Sequence, residues 1–337
     1  MAFFKFLRKR DTSGIPSKRR AALVAALEAE RLATTAGMQE FLRKKTGFVG
    51  TSPLLRRNIH RLEKGLCMPT RRPVFAEGYI LETVTLYSKL VTQPKASPPE
   101  LKWATDVLAD YFSKVDITAR TIAPAHDLWT KLPHNTSDAP HFSPYAARDL
   151  PAYVGAAALP DYPSFLALTR ARRSQRWFMD QPVDPAQLAL ATAAALQAPS
   201  ACNRQPFTFY AALKRDLIIK IADLPLGTEG FGHDLPALIA VIGDLSVYAE
   251  PRDRHLIFID AGLAAMQFML AITAQGMGSV PINWPDIPEN HQALRDLLGL
   301  APHQVPIMLI GVGHPKPDAM IPYSAKRQVE EVLHVIA

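Results

Sequence analysis

Cysteine is scarce: the 337 residues hold two, Cys67 and Cys202, with no C-x-x-C spacing. That excludes a disulfide framework and a cysteine-rich zinc site, and it makes a reducing, cytoplasmic setting the expectation. Long apolar runs are missing too. "LPALIAVIG" (Leu235 to Gly243) is strand-sized and well short of the roughly 18 residues of a membrane span. The opening "MAFFKFLRKR" has too short an apolar stretch for a signal peptide, and its charges follow that stretch. No convincing Ser–His–Asp set, H-E-x-x-H or internal repeat is visible.

What is present is an ordinary globular composition, 48% apolar and 20% charged, with proline in excess at 29. Charge is unevenly spread. Residues 1–72 carry 17 Lys/Arg against 5 Asp/Glu, while the remainder carries 21 against 26. The basic surplus belongs to the N-terminal region alone, and it suits either the acidic remainder of the same molecule or an anionic partner, nucleic acid or membrane.

Organisation changes along the chain. Residues 18–46 have helical spacing and good helix formers. "SPLLRRNIHRLEKGL" opens with Ser52 as N-cap and Pro53 at the first helical position. Further helical stretches are expected near Phe75–Val91 and Pro99–Val115. Apolar positions Leu23 and Leu27, and Leu54, Leu55, Ile59, Leu62 and Leu66, form faces that need burial. Six prolines between Pro133 and Pro163 preclude a long regular element there. From about Phe165 helices alternate with short apolar strands, including a helix that ends near Phe178 and one capped by Asp184. The expected domains are a helical basic extension over 1–130, a Pro-rich connection over 131–163, and an α+β domain over 164–337.

Four stretches of that domain carry candidate chemistry. "RARRSQRWF" (Arg170 to Phe178) places Arg172 and Arg176 four apart, on one face if helical, with Arg173 and Ser174 beside them. Such a cluster is either a solvated face or a phosphate site. "APSACNRQPF" (Ala198 to Phe207) stops a helix with Pro199 and Ser200 and presents the amides of Asn203 and Gln205. Those amides serve either their own loop or the edge of a heterocycle. "GMGSVPINW" (Gly276 to Trp284) is a helix end or a close approach to a flat ligand. "IGVGHPKP" is followed by "SAKRQVEEVL", where Lys326 and Arg327 precede an expected last helix.

In this order and spacing the four stretches resemble the nitroreductase family of FMN-dependent oxidoreductases, over about residues 165–337. The resemblance implies a nitroreductase-like sandwich, a central mixed sheet with flanking helices, preceded here by a mainly helical N-terminal region. It implies a homodimer with FMN at each end of a shared interface. By position, Arg172 and Ser174 would hold the FMN phosphate with Arg173 nearby, and Arg176 would approach the pyrimidine edge. Pro199, Ser200 and Asn203 would lie against the ring from the partner subunit, with Gln205 supporting the loop. Pro281, Ile282 and Asn283 would pass near N5, and Arg327, helped by Lys326, would close on the phosphate. Phe207 stands where many members carry tryptophan.

The implied activity is hydride transfer, from NADH or NADPH, to a small electrophilic acceptor such as a nitroaromatic or quinone, with no metal and no acid–base residue required. The alternative is a flavin-fold binding protein docked to an anionic partner, membrane or nucleic acid, through its basic N-terminal region. His60, Glu63 and Lys64 share a helical face, either a solvated face or a site, and His233 lies in the loop "GTEGFGHD", either at the surface or facing substrate.

Overall fold

The computed structural model describes residues 16–46, 50–134, 141–142, 144 and 159–336. The N-terminal half is helical: α1 Ser17–Thr46, α2 Pro53–Leu66, α3 Ile80–Val91, α4 Pro98–Lys114 and α5 Ala123–Trp129. The Ser52 hydroxyl caps α2 by accepting from the Leu55 N–H at 3.2 Å, as its sequence predicts. The α2 stripe Leu54, Leu55, Ile59, Leu62 and Leu66 is buried in one cluster with Ile80, Tyr87, Leu108 and Tyr111. The α1 stripe is not: Leu23 and Leu27 are about half exposed. The short α5 had no strong sequence signal. Most of the Pro-rich connection falls outside the described residues.

The C-terminal half runs α6 Tyr162–Ala171, α7 Pro185–Ala195, β1 Phe207–Ala212, α8 Arg215–Ala222, β2 Ala237–Asp244, α9 Leu256–Ala274, β3 Gly278–Asn283, α10 Pro288–Leu298 and β4 Gln304–Gly313. The strands form a four-stranded sheet in the order β1-β2-β4-β3. All three ladders are antiparallel, and a parallel bridge between Ser174 and Ser279 gives the sheet its mixed character.

Strand β2 explains the layering. Its continuous apolar run is buried on both faces, as expected of a central strand covered on two sides. Ala237, Ile239 and Val241 pack with α7 and α9, while Leu238, Ala240 and Ile242 pack with α8 and α10. The result is an α+β sandwich with helices on both faces of the sheet, preceded by a helical region.

Helix α9 adds a feature that run-length reading overlooked. The helical stretch Pro251–Ala274 is long and apolar enough to cross a membrane by length and composition. Ala261, Ala264, Ala265, Phe268 and Ile272 pack onto the sheet. Ile259, Leu263 and Met266, at helical spacing on another side, stay exposed.

Two expectations fail. The helix before the arginine cluster ends at Ala171, not near Phe178, and Arg172 is already extended at φ −65°, ψ 109°. Arg172 and Arg176 therefore share no helical face, because strand-like bonding captures the segment. The last helix does not form either. Gln328 and Glu331 make a reciprocal cap, but only a single 3-10 turn, Val329–Glu331, follows. Val332, Leu333, Val335 and Ile336 are exposed, so no apolar surface repays helix propagation.

The extension packs on the C-terminal half. Glu30 of α1 accepts from Arg254 Nε at 2.9 Å and lies 2.9 Å from His255 Nε2. Lys44 Nζ donates to Ser246 Oγ at 2.7 Å, and Arg56 Nε of α2 donates to the Asn203 carbonyl at 3.3 Å.

Candidate functional site

The arginine segment lies beside β3 and the exit of β4. Ser174 bridges Ser279, and the Gln175 N–H donates to the Ser279 carbonyl at 3.0 Å. Further along, Phe178 bridges Pro315, the Met179 N–H donates to the His314 carbonyl at 2.8 Å, and the Lys316 N–H donates to the Trp177 carbonyl at 3.1 Å. Glycine permits this approach. A Cβ on Gly278 would lie 2.9 Å from Gln175 Cδ, and one on Gly313 would lie 2.8 Å from the Phe178 ring. Three of the four candidate stretches thus meet through main-chain bonds.

Polar atoms at this junction are left over. Arg172 Nε, Gln175 Oε1 and Ser279 Oγ are buried without hydrogen-bond partners. Buried polar atoms are rarely orphaned, and each costs about 1–3 kcal/mol when it is. The guanidinium nitrogen and the one hydroxyl, both with spare donors, suit an oxyanion such as a phosphate group, whereas Gln175 Oε1 can only accept. Arg173 is committed elsewhere, donating to the Tyr323 carbonyl. Arg176 lies over the Phe231 ring, 5.8 Å from its centroid. On β3, Pro281 and Asn283 face outward while Ile282 is buried, so Ile282 offers only its backbone.

Among the described residues no hydrogen bond or bridge joins the second stretch to these three. Its turn, Ala201–Asn203, contains left-handed residues: Cys202 at φ 54° and Asn203 at φ 52°, with Gln205 at φ 50° just after. Such conformations cost non-glycine residues on the order of 1–3 kcal/mol each and persist only where the surroundings enforce them. Here the Ala201 N–H donates to Asp260 Oδ2 of α9 at 2.9 Å, and the Gln205 N–H donates to Ser200 Oγ at 3.0 Å. Gln205 Nε2 donates to Asn203 Oδ1 at 2.9 Å, so the two amides serve each other. Pro199 is exposed and Ser200 half-buried.

Asp260 was the residue that motif reading missed. It is the sole acid in the apolar helix α9, and the fold leaves it 3% exposed. Burial pushes its pKa upward, against the bond from Ala201. Burial also raises the pKa of the neighbouring Tyr248 phenol, with Asp260 adding to the effect. Arg204 stacks over the Tyr248 ring at 4.9 Å and lies 3.7 Å from Asp253.

The remaining candidates do not converge. Arg327 bonds within its own turn, its guanidinium donating to the Glu331 carbonyl at 2.8 Å, and no described contact joins it or Lys326 to Arg172 or Ser174. Glu63 accepts from Trp103 Nε1 at 2.8 Å and lies 3.4 Å from His60, a packing arrangement within the helical half. His233 pairs with Asp223 at 2.5 Å on the surface. No metal-holding group of three or more His, Cys, Asp or Glu occurs among the described residues.

Comparison with known proteins decides the family. The description "Nitroreductase family" matches residues 169–229 and 219–314. A provisionally named NADH dehydrogenase/NAD(P)H nitroreductase of Archaeoglobus fulgidus is 30% identical over 156 residues, covering 45% of this chain and 86% of that protein. The chain belongs to the nitroreductase family. A protein of the same provisional name from Methanothermobacter thermautotrophicus is 26% identical over 151 residues, or 44% of this chain and 76% of the relative. Among solved structures, one of that name from Parabacteroides distasonis is 25% identical, with a TM-score of 0.45 over 50% of this chain and 96% of its own. A nitroreductase family protein of Streptococcus pneumoniae gives the same identity and TM-score over 51% and 100%. The helical half lies outside the residues that match the nitroreductase family. Family membership makes the protein an oxidoreductase.

Proposed function

We propose that the protein is an FMN-dependent oxidoreductase that passes hydride from NAD(P)H to a small electrophilic acceptor, a nitroaromatic or quinone. The observation that carries this is the junction of the arginine segment with β3, where Arg172 Nε and Ser279 Oγ are buried without partners. Arg172 and Ser174 would hold the FMN phosphate there, and Arg173, already tied to Tyr323, would keep the C-terminal segment close. When bound, the flavin would supply the hydride-accepting and hydride-donating centre. The protonated Arg176 would face the pyrimidine edge, where negative charge develops on reduction. Pro281, Asn283 and the Ile282 backbone would form the floor beside the ring.

The loop with Pro199, Ser200 and Asn203 belongs on the same pocket only if a second chain supplies it. We propose a homodimer built on the apolar stripe Ile259, Leu263 and Met266 of α9, which is exposed in the single chain. Dimer formation would also bring Lys326 and Arg327 within reach of the phosphate. We further propose the unit boundaries 1–130, 131–163 and 164–337, and a cytoplasmic setting, where NAD(P)H is supplied. The ion pairs between α1 and the C-terminal half favour a role for the extension in covering the flavin unit. They do not favour a free basic arm reaching for membrane or nucleic acid.

The test is to load the purified protein with FMN, remove oxygen and add NADH or NADPH. Bleaching of the oxidised flavin by either donor, and its return on adding a nitroaromatic or quinone, is the expected result. Failure to retain FMN, or a bound flavin inert to both donors, would overturn the proposal.

A further inference from the structure

One residue of the helical extension reaches the turn that the flavin reading places against the ring. Arg56 lies on α2, outside the residues that match the nitroreductase family. Its Nε donates to the Asn203 carbonyl at 3.3 Å, and its Nη1 donates to Glu100 Oε2 of α4 at 3.2 Å. The guanidinium also lies over the Trp103 ring, 5.4 Å from its centroid.

Glu100 is a firm anchor for this side chain. It is 2% exposed, and it accepts from the Ser52 N–H at 2.9 Å and from the Thr51 hydroxyl, so it ties the start of α2 to α4. Arg56 is itself only 19% exposed, which shields both of its bonds from water. Arginine spreads its donors over a rigid plane, so one nitrogen serves the carboxylate while another serves the carbonyl. A lysine ammonium carries all its donors on a single atom.

At the far end of this link, Asn203 is engaged at three of its polar groups. Its N–H donates to the Ser200 carbonyl at 2.9 Å, its Oδ1 accepts from Gln205 Nε2 at 2.9 Å, and its carbonyl takes the Arg56 bond. Only Nδ2 has no partner among the described residues, which leaves it to donate to a ligand. Cys202, left-handed at φ 54°, is therefore flanked by two outside supports: Asp260 on the Ala201 N–H and Arg56 on the Asn203 carbonyl. Such a conformation persists only where its surroundings hold it.

We infer that Arg56 is a positioning residue for the flavin site: through it the extension locks the Cys202–Asn203 turn and so orients Asn203 Nδ2. The inference rests on the reading of this turn as one wall of the flavin pocket. It gives the N-terminal half a part in the site itself, beyond covering the flavin unit.

Two variants test it in the full-length, FMN-saturated protein. Arg56→Ala removes both bonds, whereas Arg56→Lys keeps a cation beside Glu100 and loses the planar reach to Asn203. Hydrogen–deuterium exchange reads the turn, and fluorescence titration reads FMN affinity. In both variants the amides of residues 201–205 should exchange roughly tenfold faster and FMN should bind roughly tenfold more weakly, as expected for one lost charge-assisted hydrogen bond. Amides of α7 and β2 should keep their wild-type rates, and Arg56→Lys should unfold close to the wild-type temperature, which separates positioning from general stability. Arg56→Lys carries the test should Arg56→Ala fail to fold. Unchanged exchange at 201–205 in Arg56→Lys, or acceleration spread evenly over both halves, would overturn the inference. Faster exchange at the turn with unchanged FMN affinity would overturn the part of Arg56 in the flavin site. A wild-type protein that retains no FMN would instead overturn the flavin reading, and exchange at the turn would still decide whether Arg56 holds it.

Discussion

Ser174 and Ser279, 105 positions apart in the sequence, are joined by a parallel bridge, and the Gln175 N–H fixes the register by donating to the Ser279 carbonyl at 3.0 Å. This pairing carries Arg172 to the edge of the sheet with its Nε unpartnered. Removing that guanidinium should therefore act on flavin binding far more than on folding. Arg172→Ala is expected to lose at least about tenfold in FMN affinity, the equivalent of one charge-assisted bond of about 1.5–3 kcal/mol. Fluorescence titration of FMN into the variant measures this directly, and an unchanged dissociation constant would remove Arg172 from the site.

Asp260 acts one step further out, as a positioning residue. It holds the Ala201 N–H and with it a turn whose Cys202 and Asn203 are left-handed. Asp260→Ala should release that turn and weaken FMN binding by roughly tenfold, the cost of about one hydrogen bond to a charged group. Asp260→Asn keeps an acceptor oxygen and should restore most of the affinity. Equal loss in both variants would show that charge, not the bond to Ala201, is what the residue provides.

The first two motifs show what sequence can and cannot reveal. Arg172, Ser174, Asn203 and Gln205 stand out as candidates because their residue types and spacing repeat a family pattern. Their local geometry was not. Helical spacing in Arg170–Arg176 was overridden by main-chain pairing with Ser279 and Pro315, a long-range event that no local propensity encodes. The last helix expected after Lys326 and Arg327 likewise does not grow, because it has no apolar surface to pack on. Asp260 escaped because it stands alone in an apolar run, and its role depends on what lies across the fold.

The apolar stripe of α9 makes a prediction about assembly. Leu263→Asp places a carboxylate among Ile259 and Met266 and should convert the dimer to monomer, as judged by light scattering. Flavin should be lost with the dimer, because the Pro199–Asn203 loop would no longer complete the pocket. A wild-type protein that is monomeric while loaded with FMN would contradict the proposed interface.

Stability should depend on pH near neutrality. Burial lowers the pKa of His291 and also that of His303. Unfolded, both would titrate near about 6.5. Below that value the unfolded chain binds protons that the native protein resists, so stability falls as pH drops from about 6.5 toward the depressed native pKa values. Above about 6.5 these two groups should contribute no slope. Urea midpoints at successive pH values should decline below neutrality, and His291→Gln with His303→Gln should flatten the decline. An undiminished slope in the double variant would assign it to other groups.

The central claim is that one flavin pocket is assembled from the arginine segment of one chain and the Pro199–Asn203 loop of another. A hybrid dimer of one Arg172→Ala chain and one Asn203→Ala chain tests it most directly, since one of its pockets is intact and the other carries both changes. FMN content of the isolated hybrid should be one per two chains, with hydride reduction by NAD(P)H confined to that flavin. Two weakened sites in the hybrid, one matching each single variant, would contradict the shared pocket and place both residues in the site of their own chain.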